Sequence, residues 1–500
     1  MPALATARAP AHRPGDEHLS RAQMIALAAL GAAYIVVRCW NLATFCLDSD
    51  EIFSLLCARQ NLGGLLHAVR VDVVHPPFSY LLLWLWVRIG GESVLWVRLL
   101  PCLISIAALV PVWIIFEQLR LNAPARIVAL ALLAINDYQV FHARYVRMYA
   151  LLFLLSLISV AIFLSLLEQV TRRRVIALAV VNLLLVYTHY YGWMVVGVEG
   201  LHLLLIDRRK LKLFVAGALG SAILFAPWAV TAAQAAVAKG GLAANLGWIR
   251  HPKIGDLWWY YAGCHGPLWP VPATSAMVLV LFVALGAGVW RVFRAAETPL
   301  QTSRLQFIAL LAVFPPVSTY VLSNQLRNSV WGNRHLIVSA VPYMALLAAS
   351  LIALRPKWVR VAVLTIATGW GLWGAYRVTL APDPRNNMEV LTGQLVDLNA
   401  RVGPRGGEPT VYLLDPYLSY PMRYFLDARH HRTWNLKDVA SSDAVSGDRV
   451  WVGYNYKSWK PAESPEDLLR RRGYKIGPGV WAADHWDKIA VFLAYRDRRP

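Results

Sequence analysis

A chain of 500 residues with 57% hydrophobic and only 16% charged side chains, at a mean hydropathy of +0.45, lies outside the range of a soluble domain, which carries about 45–50% apolar and about 25% charged residues. The net charge of +20, from 49 Lys and Arg against 29 Asp and Glu, sits in short clusters between apolar blocks and comes with no nucleic-acid-binding motif, so the composition excludes a nucleic-acid partner. The apolar residues fall in blocks of about 17–22, the length that spans a hydrocarbon core of roughly 30 Å, and the chain reads as a polytopic membrane protein.

Residues 1–21 carry Arg8, Arg13 and Arg21 and are assigned to the cytoplasm, where Lys and Arg collect. This polar stretch is too long and too acidic for a signal-peptide n-region, so 23–39 reads as a retained first span. It exits into Leu47-Asp48-Ser49-Asp50-Glu51-Ile52-Phe53-Ser54. Acids at a bilayer boundary are costly to desolvate and need water, a partner or a task. Carboxylates this close also raise one another's pKa, which suits a general base; a plain solvated acidic loop is the alternative. An amphipathic piece (52–66), His75-Pro76-Pro77 and an apolar run over 78–89 follow.

If that run crossed the membrane, every later loop would change sides. Arg172-Arg173-Arg174, Arg208-Arg209-Lys210 and Arg355 with Lys357 and Arg360 would then all lie outside, against the positive-inside bias. Residues 77–90 are therefore expected to form an interfacial or re-entrant helix. The remaining spans are predicted at 96–117, 125–138, 149–168, 175–189, 191–206, 213–232, 273–291, 306–323, 335–354 and 359–378. With 23–39 they make eleven, and the C-terminus lies outside. The transmembrane domain thus covers 22–380. Residues 381–409 read as a linker with a helix in its middle, and 410–500 as a small soluble α/β domain. Its predicted strands are 411–414, 449–454 and 488–495, with a helix at 466–472. No strong internal repeat is present, which disfavours a transporter of two related halves. Of five cysteines, Cys46 and Cys57 flank the acidic motif and could pair in an oxidising compartment; a buried free thiol is the expectation for most of the five.

This topology brings five clusters to the outer face: Asp48–Glu51; His75-Pro76-Pro77; His142 to Tyr149; Thr188-His189-Tyr190-Tyr191-Gly192; and 324–335. A positive-inside protein should have few outer arginines, yet Arg144, Arg147, Arg327 and Arg334 fall at outer span ends. Guanidinium binds phosphate oxygens bidentately, so arginines facing acids suggest an anionic headgroup held near a base. Snorkelling to lipid headgroups is the plainer role for each arginine, as packing is for His189. The two prolines after His75 fix the backbone and could aim its imidazole into the outer cavity. Their other reading is a simple helix start.

Read together, HPPFSYLLLWLW (75–86), WVRLLP (96–101), ARYVRMYALL (143–152), THYYGW (188–193) and NRHLIVSAVPY (333–343) resemble the polytopic glycosyltransferases of the C superfamily. The likeness is to the family 39 enzymes, of the polyprenyl-phosphate-mannose protein mannosyltransferase and aminoarabinose transferase type, with Asp50-Glu51 in the place of the acidic signature. It spans roughly residues 20–380 and leaves out the C-terminal domain. It departs before Arg147, where Ala143-Arg144-Tyr145-Val146 stands for a polar, acid-containing stretch. The resemblance implies inverting transfer of a sugar from a polyprenyl-phosphate donor to a hydroxyl of a lipid, glycan or protein on the non-cytoplasmic face.

On that reading Asp50 is the general base, with Glu51 and Asp48 orienting or tuning it. Arg144, Arg147, Tyr149, Arg334 and His335 hold the donor phosphate, and His75, His189 and Tyr190 line the substrate site. A phosphate leaves without a general acid, so no cofactor is required, although the acids and outer histidines could hold a divalent cation. A transporter or lipid flippase is the alternative. It would need polar groups at mid-membrane, where Glu199 is the main acid.

Overall fold

The computed structural model describes residues 19–496, apart from 45, 239–248, 267–270, 381–386, 405–407, 416–417, 429–433, 457–458, 460 and 484–487. Arg8 and Arg13 and parts of the expected linker lie outside the described residues. The chain forms two compact units. One holds the apolar helices; the other combines Asn41–Arg59 and Glu92–Leu95 with the C-terminal residues.

Seven of the described helices are long and apolar enough to cross a membrane: Arg21–Cys39, Val94–Gln118, Tyr149–Glu168, Arg208–Ala235, Pro272–Arg294, Pro299–Gln325 and Asn333–Ala353. Shorter apolar helices occupy Phe78–Gly90, Ala123–Ile135 and Gly192–Ile206, and Arg172–Thr188 and Lys357–Thr379 are also helical. Each of the eleven predicted segments is thus helical, although 96–117 joins two helices that meet at Ala108 and 125–138 runs past the end of Ala123–Ile135 at Asn136. Phe78–Gly90 has 13 residues, about 20 Å of rise. Several helices begin where a side chain satisfies an orphan amide: Asn122 accepts from Ala125 N–H, Thr171 from Arg174 and Thr298 from Gln301.

Tyr149–Glu168 and Ile337–Ala353 are buried nearly all round, as expected of central helices without a polar face. Ile337–Ala353 packs closely on Val271–Arg294 because Gly288 has no side chain: a Cβ there would fall within 2.6 Å of the Ser350 backbone. Arg38 closes the end of the first helix. Its guanidinium stacks 3.3 Å from the Tyr34 ring centroid and donates to Ser105 Oγ and to the Leu133 and Ala134 carbonyls. Cys39 and Cys102 bring their sulfurs to 3.3 Å, and all five cysteines are free thiols, Cys46 and Cys57 included.

The second unit is built on a five-stranded sheet of β1 (Thr410–Leu413), β2 (Asn435–Asp438), β3 (Arg449–Asn455), β4 (Lys475–Ala483) and β5 (Lys488–Tyr495), in the order β2-β1-β3-β5-β4. β1 runs parallel to β2 and β3, while β5 is antiparallel to β3 and β4. The central strands are buried on both faces, hence their unbroken apolar runs. Predicted strands 411–414, 449–454 and 488–495 match β1, β3 and β5. The two edge strands were not predicted. β2, Asn-Leu-Lys-Asp, is almost wholly exposed; β4 carries Gly477-Pro478-Gly479, where its register to β5 breaks, as suits proline at an edge. Helix Asn387–Val402 packs on the sheet through Leu391 and Leu395, and its Asn399 accepts a hydrogen bond from Trp451 Nε1 at 2.8 Å.

Candidate active site

The acidic motif lies in the second unit, at the start of helix Ser49–Arg59. Asp48 Oδ1 accepts from Glu51 N–H at 3.0 Å, and Glu51 Oε2 accepts from Asp48 N–H at 3.1 Å. Through this reciprocal capping box Asp48 and the fully buried Glu51 hold the helix start. Asp50, one residue before Glu51, stands half-buried in the first turn. The helix packs within its unit on Ser419–Ala428, which was not predicted: the Phe53 and Tyr420 rings meet edge-on at 6.3 Å, and Arg59 lies 5.2 Å from the Tyr424 centroid while pairing with Glu92 at 2.6 Å.

In the first unit, four of the predicted outer clusters converge. His75 precedes Phe78–Gly90, Arg147 and Tyr149 stand at the start of Tyr149–Glu168, His189 ends Arg172–Thr188, and Arg334 and His335 open the turn before Ile337–Ala353. The His75 and His189 rings are 5.0 Å apart and those of His189 and His335 4.8 Å. Tyr149 lies 6.2 Å from His335, and the Arg334 guanidinium 6.0 Å from the Tyr149 centroid. Arg147 donates to Tyr80 Oη and His75 Nδ1, both at 3.2 Å.

These bonds assign the protons. A guanidinium only donates, so His75 Nδ1 accepts and its Nε2 carries the hydrogen. Tyr191 N–H donates to His189 Nδ1 at 3.0 Å, which places the His189 proton on Nε2 too. That Nε2 is buried and has no partner among the described residues, as are both ring nitrogens of His335. Burial, together with the adjacent Arg147, holds His75 well below the ordinary histidine range and hence neutral. A potential ligand nitrogen from each of His75, His189 and His335 lies within 4.8 Å of the others. As oriented, however, His75 and His189 offer N–H groups on Nε2, whereas a metal needs a bare nitrogen.

The remaining predicted residues have other contacts. Tyr190 donates to Val73 O at 3.0 Å and accepts from Trp228 Nε1 at 3.1 Å. It thereby braces Val73, whose φ of 50° is costly for a β-branched residue, two positions before His75. Arg144 is buried and donates to Val378 O at 3.1 Å; Arg327 is exposed. Among residues given no role of their own from sequence, Tyr191 sets the His189 tautomer, Tyr80 holds Arg147, and His142 lies 4.8 Å from Tyr149. The aromatic richness of the 142–149 and 188–192 clusters was their signal.

No protein family and no curated protein matches the chain in sequence. Among solved structures, the fold is similar to that of ArnT from Cupriavidus metallidurans. Both its structure bound to undecaprenyl phosphate and its apo structure align at TM-score 0.55 and 12% identity, covering 94% of this chain and 97% of that one. A lesser likeness, TM-score 0.47 and 12% identity over 83% of this chain and 64% of the other, is to the oligosaccharyltransferase AglB from Archaeoglobus fulgidus, in complex with an inhibitory peptide and a dolichol-phosphate. The chain has the polytopic membrane fold of ArnT along nearly its whole length.

Proposed function

We propose that this chain is an integral-membrane glycosyltransferase that moves a sugar from a polyprenyl-phosphate carrier to an acceptor hydroxyl at the outer face, with inversion. The observation that carries the reading is the cluster of N–H donors at one end of the helical unit. His75 and His189 carry hydrogens on Nε2, with His335, Arg147 and Arg334 around them. Two guanidinium groups and imidazole N–H donors suit an anion better than a cation. The undecaprenyl phosphate in the ArnT structure of similar fold supports a lipid-linked phosphate as that anion.

In the proposed reaction the acceptor oxygen attacks the anomeric carbon, the bond from that carbon to the phosphate oxygen breaks, and the hydroxyl proton passes to Asp50. The phosphate gains one negative charge on release, so Arg147 and Arg334 act where charge grows. His335, Tyr149 and the imidazoles of His75 and His189 complete the phosphate site. Asp48 and Glu51 fix the backbone that carries Asp50, and Tyr190 and Arg144 support the surrounding loops. The transport reading loses its main footing because both carboxyl oxygens of Glu199 are engaged by Ser159 and Asn182.

The test supplies purified protein in detergent, with no gradient, with a polyprenyl-phosphate sugar and measures transfer. Asp50→Asn should lose about 10²–10⁴-fold. Arg147→Ala or Arg334→Ala should lose roughly 10- to 100-fold, the value of one charge-assisted contact. Lysine should rescue only partly, lacking the bidentate fork. Near wild-type transfer by Asp50→Asn would overturn the base assignment; normal transfer by both alanine variants would overturn the phosphate site.

A further inference from the structure

A cavity of about 320 Å³ lies where several helices of the first unit end, within the range of small-molecule sites, about 300–1,000 Å³. The helix Ile337–Ala353 starts beside the histidines and ends in this cavity's wall, so its 17 residues put the two about 25 Å apart. The cavity belongs to the opposite end of the bundle, where Arg172 and Arg208 also start their helices.

Three arginines line it, Arg120, Arg126 and Arg291, against one acid, Glu297. Two are fixed by the wall itself: Arg126 Nε donates to Leu121 O at 2.7 Å, and Arg291 Nη1 to Ala353 O at 3.0 Å. Each bond uses one of five guanidinium donors. Arg120 is held at φ 52° in the turn before Ala123–Ile135. The first turns of Ala123–Ile135 and Pro299–Gln325 add their positive dipole ends. Opposing them are the C-terminal carbonyls of Ile337–Ala353, which Arg291 and Arg360 partly satisfy. Asn122 and Gln301 are the other polar residues of the wall, and what remains is aliphatic, including Leu119, Leu121, Leu305 and Ile352.

From this basic, aliphatic-walled cavity at the span ends we infer a binding site for the headgroup of an anionic phospholipid from the leaflet at that end of the bundle. Charge complementarity selects the phosphate, and the aliphatic wall at the membrane boundary selects a glycerolipid over a soluble anion. Basic pockets between helices are a recurring way of retaining such lipids.

Native mass spectrometry of the full-length protein in detergent tests this with phosphatidylglycerol, phosphatidylcholine and inorganic phosphate as probes. Phosphatidylglycerol should be retained in preference to phosphatidylcholine, and millimolar inorganic phosphate should not displace it. Each arginine near an anionic headgroup is worth roughly fivefold in affinity. The triple variant Arg120→Gln/Arg126→Gln/Arg291→Gln should therefore bind about 100-fold more weakly. Arg120→Gln alone, whose side chain makes no bond to the wall among the described residues, should cost about fivefold and serves if the triple variant does not fold. Arg208→Gln/Arg209→Gln, altering exposed arginines outside the cavity, should change nothing. Equal retention of the two lipids, displacement by phosphate, or equal loss in the two multiple variants would overturn the site.

Discussion

Asp48, Asp50 and Glu51 are three similar acids in sequence, and the capping box separates them. Asparagine caps a helix as well as aspartate does, so Asp48→Asn should keep the melting temperature of the solubilised protein. Asp48→Ala should lower its stability by about 1 kcal/mol, and Glu51→Gln preserves the box. A large stability loss in Asp48→Asn would show that the charge rather than the cap matters there. Glu199 poses a different question. Ser159 Oγ lies 2.6 Å from both Asn182 Oδ1 and Glu199 Oε1, and Asn182 Nδ2 donates to Glu199 Oε2 at 2.7 Å. Ser159 has one proton for two oxygens, so the ring of bonds closes when the Glu199 carboxyl supplies another. Glu199→Gln, which also brings a donor, should stay folded. Glu199→Ala leaves buried Ser159 and Asn182 groups unpaired and should cost about 1–3 kcal/mol. Equal thermal midpoints for the two variants would count against the network.

Between elements, the informative positions are those where side chains are absent or interlocked. A Cβ on Gly288 would collide with Ser350 O, whereas one on Gly286 meets nothing within 4 Å. Gly288→Ala should therefore cost about 1–3 kcal/mol and lower the thermal midpoint, while Gly286→Ala should not. Matching midpoints would mean that the two helices can separate without penalty. In the second unit, Phe53 and Tyr420 lock helix Ser49–Arg59 onto Ser419–Ala428. If Asp50 is the base, Tyr420→Ala should reduce turnover while leaving binding of the polyprenyl-phosphate donor unchanged; parallel loss of both would point to general unfolding. The apolar blocks and the His- and Arg-bearing span ends were legible because each is a local pattern. β2 and β4 were not, since an exposed four-residue edge and a Gly-Pro-Gly break show no alternation. Neither Tyr190's brace on Val73 nor the packing of Phe53 on Tyr420 has a local signature, because in both the partners are far apart in sequence.

At the scale of the whole chain, the parity of crossings decides which end of the bundle faces out. If Phe78–Gly90 does not cross, a reporter active only outside should work when fused after residue 380 and fail at 210; the reverse pattern would place the histidine end inside. The second unit carries one more consequence, for the order of events at the ribosome. Helix Ser49–Arg59 is made early, but Tyr420, against which its Phe53 packs, follows 420 − 53 = 367 residues later. At about 5–20 residues per second, that is a wait of roughly 20–70 s. For that interval the acid-bearing helix has emerged without its packing partner, and a chain arrested before residue 420 holds every helix of the membrane unit while leaving the support of Asp50 unmade.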